Sequence, residues 1–202
     1  MTATPFQVDD AHRHALLTVA EDAIRSALLD GSRFVRWVDT IHDSVLRTHA
    51  ASFVTLERGP LLLGCVGTLE ACAPLAVGVA HQALGAAFAD PRLPAIDVQD
   101  FVAMTVKVSV LSELTELPAG SVDELLASVR AGIDGVVVDA PRGRATLLPS
   151  VWRQLPEPDE FLAALWEKAG LPPGAWPAGT RALRYTTDEF ARPGPRTLAF
   201  AS

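Results

Sequence analysis

The stretch LLLGCVGTLE, Leu61 to Glu70, sets a thiol between two glycines. Cys65 lies between Gly64 and Gly67, with Thr68 next in line. Thiol chemistry runs through the thiolate, which needs a base or a cation nearby. The local sequence offers neither: Arg58 lies across a hairpin turn and His81 a helix further on. Free cysteine is also among the most buried residue types. Cys65 therefore reads either as a catalytic thiolate or as a small side chain in a tight place. The glycines permit positive φ and close backbone approach. A strand passing into a helix could also show its amides to an anion. Gly-x-x-Gly nevertheless lacks the Lys-Ser/Thr of a Walker loop and the third glycine of a dinucleotide fingerprint. Cys72 follows seven residues on, unlike a C-x-x-C pair.

A second group is Asp90-Pro91-Arg92, just past a helix end. Its plain account is a helix stop with an Asp–Arg contact. Its functional account is a rigid loop presenting Arg92, whose planar fork suits a carboxylate or phosphate. Trp152 reads as a buried anchor, or else as a stacking platform for a ligand. His81 sits in an apolar helix and is expected to be a satisfied core histidine. His12 and His14 are two apart, so they do not share a helical face and read as solvated. The expected binding groove is Gly64, Cys65, Gly67, Thr68, Asp90, Arg92 and Trp152, with Cys65 the candidate catalytic residue. No H-E-x-x-H, G-x-S-x-G or EF-hand pattern occurs, and no metal or cofactor is called for.

These residues need elements to hold them. Asp9 or Asp10 caps a first helix that Asp30-Gly31 ends. FVRWVDTIHDSVL, from Phe34, reads as a short helix or a covering loop. SFVTLERGPLLLGCVG is a hairpin about Arg58-Gly59. APLAVGVAHQALGAAFADP is apolar almost all round and reads as a buried helix. Its Gly78 and Gly85 would admit another backbone. In FVAMTVKVSVLSEL, Val102, Met104, Val106, Val108 and Val110 face one way and Thr105, Lys107 and Ser109 the other, as in a strand with one buried face. A helix from Ser121 to Ala131 follows. A second hairpin about Arg142-Gly143, a helix over Pro158–Ala169 closed by Gly170, and a last strand, RALRYTTDEF, complete the set. The order hairpin–helix–strand thus occurs twice. Short hairpins are antiparallel, so the pattern predicts an α+β sandwich with a duplicated unit and mostly antiparallel sheet. Residues 1–190 are expected to form a single domain of two intimate subdomains. Residues 191–202 are expected to be a tail poorly ordered at its end.

The chain has 202 residues, is 49% hydrophobic and carries a net charge of −7. Its mean hydropathy is +0.24 and its pI about 5.2. That supports a sizeable core and argues against disorder. The acidic balance gives no global attraction to nucleic acid. Two cysteines make no disulfide framework and fit a reducing cytosol. The start shows no signal peptide, and no run reaches the ~18 apolar residues of a membrane span. A cytoplasmic protein without membrane association is expected.

LLLGCVGTLEACAPL, AAFADPRLP, VKVSVLSEL, GIDGVVVD, ATLLPSVWRQLPEPDEFLAALWEKAGLPPGAW and RYTTDEF resemble, in order and spacing, the AMMECR1 domain. This is the domain of the bacterial and archaeal AmmeMemoRadiSam system protein A, and the resemblance spans about Ala11 to Phe190. It implies an α+β fold of two subdomains, with the Gly-Cys-x-Gly segment near the groove between them. It also implies association with a Memo-like protein and a radical S-adenosylmethionine protein, and brings no established reaction. Gly64, Cys65, Gly67, Asp90, Pro91, Arg92 and Trp152 match its motifs. The family pattern is Leu-Arg-Gly-Cys-Ile-Gly, and here Leu63 takes the arginine's place; Arg58 or Arg92 could compensate. The expected function is an accessory module that binds a partner or small ligand in this groove. The alternatives are an enzyme, or subunit of a composite enzyme, using the Cys65 thiolate, and a nucleic-acid-associated regulator.

Overall fold

The computed structural model describes residues 8–31 and 42–199. Residues Phe34 to Ile41 of the helix-or-loop segment, and the last three of the chain, lie outside them. The described chain divides into two compact units. The first takes in residues 8–111 with 188–199, the second Ser112–Thr187.

In the first unit, α1 (Asp10–Asp30) starts where the Asp9 carboxylate accepts the His12 N–H, and ends at Gly31 with φ +72°. The hairpin strands are β1 (Ser52–Arg58) and β2 (Leu61–Gly67), and Gly59 supplies the positive φ for a Gly59-Pro60 turn. The turn therefore sits one residue later than the sequence suggests. Then come α2 (Leu75–Phe88), α3 (Val98–Ala103) and β3 (Thr105–Leu111). An Asp97/Asp100 capping box makes α3 a helix, so Val102 is not part of the strand. Met104, Val106, Val108 and Val110 do face the core as expected. His81, expected in the core, is exposed on the outer side of α2.

RALRYTTDEF is two strands rather than one. Its second half, β8 (Thr187–Arg192), lies beside β3 in the sheet β2-β1-β3-β8. The described part of the tail is tied to this unit. Arg196 donates to the Phe101 and Met104 carbonyls at 2.9 and 2.7 Å, and Leu198 packs on the core. Arg192 and Arg196 pair there with Glu21 and Arg25 with Asp22, while Arg25 and Arg196 lie on the Phe101 ring.

The second unit holds β4 (Thr115–Leu117), α4 (Val122–Ser128), β5 (Gly135–Ala140), β6 (Gly143–Leu147), α5 (Pro158–Lys168) and β7 (Arg181–Tyr185). Its hairpin turn is Pro141-Arg142, again displaced by one. The helix capped by Ser121 stops at Ser128, short of Ala131. The sheet order is β4-β7-β5-β6. Read from its other edge it is β6-β5-β7-β4, which matches β2-β1-β3-β8. In both units the hairpin's first strand is central, and the strand after the long helix pairs antiparallel with it. The duplication holds in strand order, and the fold is α+β.

Gly64 governs how α2 meets the first sheet. A Cβ built there would lie 1.9 Å from the Ala86 carbonyl oxygen. Its φ is not positive, so the demand is for space and not for backbone freedom. Gly85, expected to admit a backbone, instead receives the Val66 side chain. We expect Gly64→Ala and Gly64→Asn each to cost about 1–3 kcal/mol from overpacking. Gly59 has open space and φ +59°. There alanine should cost about 1–2 kcal/mol, and asparagine, which tolerates that conformation, less. Urea midpoints of the four variants check this; a Gly64→Ala midpoint equal to wild type would show that the contact yields.

Candidate functional site

Cys65 is a residue of β2, at the edge of its sheet. The Gly-Cys-Val-Gly run is thus strand throughout and forms no phosphate-cradling turn. The register places Cys65 opposite Thr55, and Thr55 opposite Lys107. Val54 and Leu56 point into the core beneath α2, so this row of three lies on the other face. The Thr55 hydroxyl donates to Cys65 Sγ at 3.2 Å. Cys65 as a residue is half-buried. Among the described residues no imidazole or carboxylate bonds to the sulfur. Lys107 Nζ, one strand further, is paired with Glu57 at 3.2 Å.

The backbone of Cys65 is clamped from outside the sheet. Its N–H donates to Asp90 Oδ2 at 3.0 Å, and its carbonyl accepts from Arg92 Nη2 at 3.2 Å. Asp90 in turn accepts from Arg92 Nε at 2.9 Å, Arg92 Nη2 at 2.7 Å and the Arg92 N–H at 3.1 Å. A side-chain pair thereby does for one residue of an edge strand what a neighbouring strand would do. Asp90 is 5% exposed, and the Arg92 side chain 57%. The hydrogen bonds from Arg92, joined by the two backbone N–H groups, hold the Asp90 carboxyl far below the usual carboxylate range against the opposing effect of burial. Arg92 is raised correspondingly, chiefly by the same bonds.

The other expected residues fall out as follows. Gly67 ends β2, and a Cβ there would strike the Phe53 ring. Thr68 donates its N–H to the Ser52 carbonyl and its hydroxyl to that of Glu70, so its amide is not free. Trp152 belongs to the second unit and is 4% exposed there. Its Nε1 donates to the Asp134 carbonyl at 2.7 Å and its ring stacks on Phe161 at 3.8 Å. That is a core anchor with no face left for a ligand. Leu63 sits at a register shift in the β1–β2 pair and is buried in the core. Arg58 pairs with Asp100 at 2.7 Å and makes no bond to the clamp. Arg92 is the arginine bonded to Cys65. His12, expected to be solvated, is half-buried and meets Asp9 and Asp43. Sequence reading missed Thr55 and Glu57. Counting back from the hairpin turn brings Thr55 near Cys65, but the bulge makes that count ambiguous. No group of His, Cys, Asp and Glu among the described residues is placed to hold a metal ion. No described helix is long and apolar enough to cross a membrane.

Comparison with known proteins agrees with this architecture. A family model described as AMMECR1 matches residues 17–190. A protein of Methanothermobacter thermautotrophicus is 33% identical over 196 residues, covering 96% of this chain and all of its own. Protein PH0010 of Pyrococcus horikoshii is 31% identical, covering 95% of each. The crystal structure of PH0010, described as an uncharacterized protein, superposes with a TM-score of 0.85 at 29% identity, over 93% of this chain and 95% of that one.

The clamp has a pH signature. The folded Asp90 carboxyl lies below its unfolded value of about 3.9, so its stabilisation is present above that pH and fades as pH falls below it. Asp90→Asn should cost about 1–2 kcal/mol at neutral pH, held down by the solvation of Arg92. Denaturant titrations of both proteins from pH 7 to pH 2 should show the gap closing below about pH 4. A gap that stays constant would mean the carboxylate charge contributes nothing.

Proposed function

The chain belongs to the AMMECR1 family, and from that premise we propose that it is an accessory module that binds an anionic group of a ligand or partner at Arg92, beside Cys65. The observation that carries this reading is the state of Arg92. Its Nε and Nη2 are committed to Asp90 and Cys65, while Nη1 makes none of these bonds and over half the side chain is exposed. A guanidinium fixed along one edge and open along the other is pre-organised to take a carboxylate or phosphate, because little side-chain freedom is left to lose. The partners we propose are the Memo-like and radical S-adenosylmethionine proteins that the resemblance implies, in the cytoplasm. A second reading makes Cys65 a thiolate nucleophile, favoured by the partial exposure of the residue and its Thr55 donor. It has against it the lack of a base bonded to the sulfur. Nucleic-acid binding is opposed by the net charge of −7.

Co-purification from native cells, with mass spectrometry of bound proteins and small molecules, tests the proposal. Arg92→Met should lose the bound species. Arg92→Lys, which keeps charge but not the fork, should weaken capture about tenfold. Cys65→Ser, similar in size and still able to bond Thr55, should melt near wild type and keep its partner. Loss of the partner with Cys65→Ser but not with Arg92→Met would transfer the site to the thiol.

A further inference from the structure

The second unit carries an apolar groove that the Cys65 clamp does not use. Two helices and a loop build it, with a volume of about 790 Å³. Its floor and walls are Val122 and Leu126 of α4, Leu155, Leu162 of α5, and Leu171 and Pro173 of the loop. The loop wall is set in place. Trp166 Nε1 donates to the Ala175 carbonyl at 2.7 Å, the Leu171 N–H donates to the Trp166 carbonyl at 3.0 Å, and Trp176 lies against Trp166. The groove therefore does not depend on a ligand to hold its shape. Its size is that of a site for a few apolar side chains (pockets typically hold about 300–1,000 Å³).

Its rim has one sign of charge. Asp159, Glu160 and Glu167 of α5 line it, all exposed. None of the three has an ion pair or side-chain hydrogen bond among the described residues. Asp123 and Glu124 of α4 are acidic as well, and Glu124 caps the Gly120 N–H. The nearest-in-sequence base, Lys168, is turned to the Thr146 carbonyl on β6. Acids in the first turn suit the dipole of α5, which accounts for Asp159 and Glu160. It does not account for Glu167, which stands in the last turn, where a carboxylate is unfavourable.

We infer that this groove is a docking site for a short basic amphipathic helix of a partner protein, whose apolar stripe fills the trough between α4 and α5 while its Lys or Arg residues meet Asp159, Glu160 and Glu167. The apolar trough gives the contact area, and the unpaired carboxylates select the flanking charge. Such a partner also removes the cost of exposing a contiguous apolar surface.

The test uses the full chain and a synthetic Leu/Lys helix of about four turns, with leucine at i, i+3, i+4 and i+7. Fluorescence anisotropy should show saturable binding that weakens with salt, and a Leu/Glu counterpart should not bind. The triple change Asp159→Lys, Glu160→Lys and Glu167→Lys should weaken binding about tenfold or more. Ala163→Arg, which sets bulk and a repelling charge at an exposed groove position, should do the same with an unchanged melting curve. A control triple at Glu113, Glu116 and Asp139, which line no part of the groove, carries the same charge change and should move affinity about threefold at most. Equal losses in the two triples would reduce the effect to net-charge attraction and overturn the proposal. So would equal binding of the acidic peptide, or no binding at all. A wild-type dimer that Ala163→Arg converts to monomer would assign the groove to a second copy and overturn it too.

Discussion

The first unit's site depends on how closely α2 is allowed to approach β2. Gly64 leaves room for the Ala86 carbonyl, and Gly85 leaves room for Val66. The helix therefore ends hard against the strand. Asp90, two residues beyond Phe88, comes within hydrogen-bond reach of the Cys65 N–H. Arg92 follows after Pro91 and folds back on both Asp90 and the Cys65 carbonyl. Each link needs the one before it. A side chain at position 64 would push the helix end outward and open the Asp90 bond before it touched the thiol.

The second unit repeats the arrangement with different residues. A Cβ on Gly143 would lie 2.0 Å from the Ala169 carbonyl, at the end of α5. Lys168, the last residue of that helix, donates to the Thr146 carbonyl on the edge strand β6 at 3.0 Å. The edge strand of each hairpin is thus met by a cation at or just past the end of the helix that follows it, which is one way of blocking strand addition. The second unit sets its buried carboxylate elsewhere. Its buried aspartate, Asp134, precedes β5 instead and holds Arg130. The clamp on Cys65 is accordingly more than the generic edge guard of the repeat.

The duplication was legible because each hairpin, helix and strand writes its own local pattern: alternation in β3, an all-apolar run in α2, proline and glycine at the turns. The Asp90–Arg92 contact was legible for the same reason, being a matter of two residues around a proline. Misreadings came where side-chain chemistry overrode periodicity. Val102 kept the strand alternation, yet Asp97 and Asp100 cap the segment into a helix. RALRYTTDEF runs without a break in β-propensity, and only pairing partners divide it between two sheets. The anchoring of the described tail had no local signal, because Arg196 and Leu198 contact residues nearly a hundred or more positions away. The exposed state of His81 follows from which face of α2 meets α1 and the sheet, and an all-apolar helix does not declare its outer face.

The position of Cys65 on an edge strand bears on what it can do. A nucleophile is served by a scaffold that fixes it while leaving its sulfur open, and the clamp does fix its backbone on both sides. The same bonds, however, spend the nearest cation. Arg92 is bound to the carbonyl of Cys65 and not to its sulfur, and Asp90 neutralises part of its charge. The sulfur's hydrogen-bond partner is a hydroxyl, which is a weak base and carries no charge. The arrangement therefore favours the outward edge of Arg92 as the reactive surface for recognition. On the proposed reading, Cys65 is the strand position to which that arginine is tied.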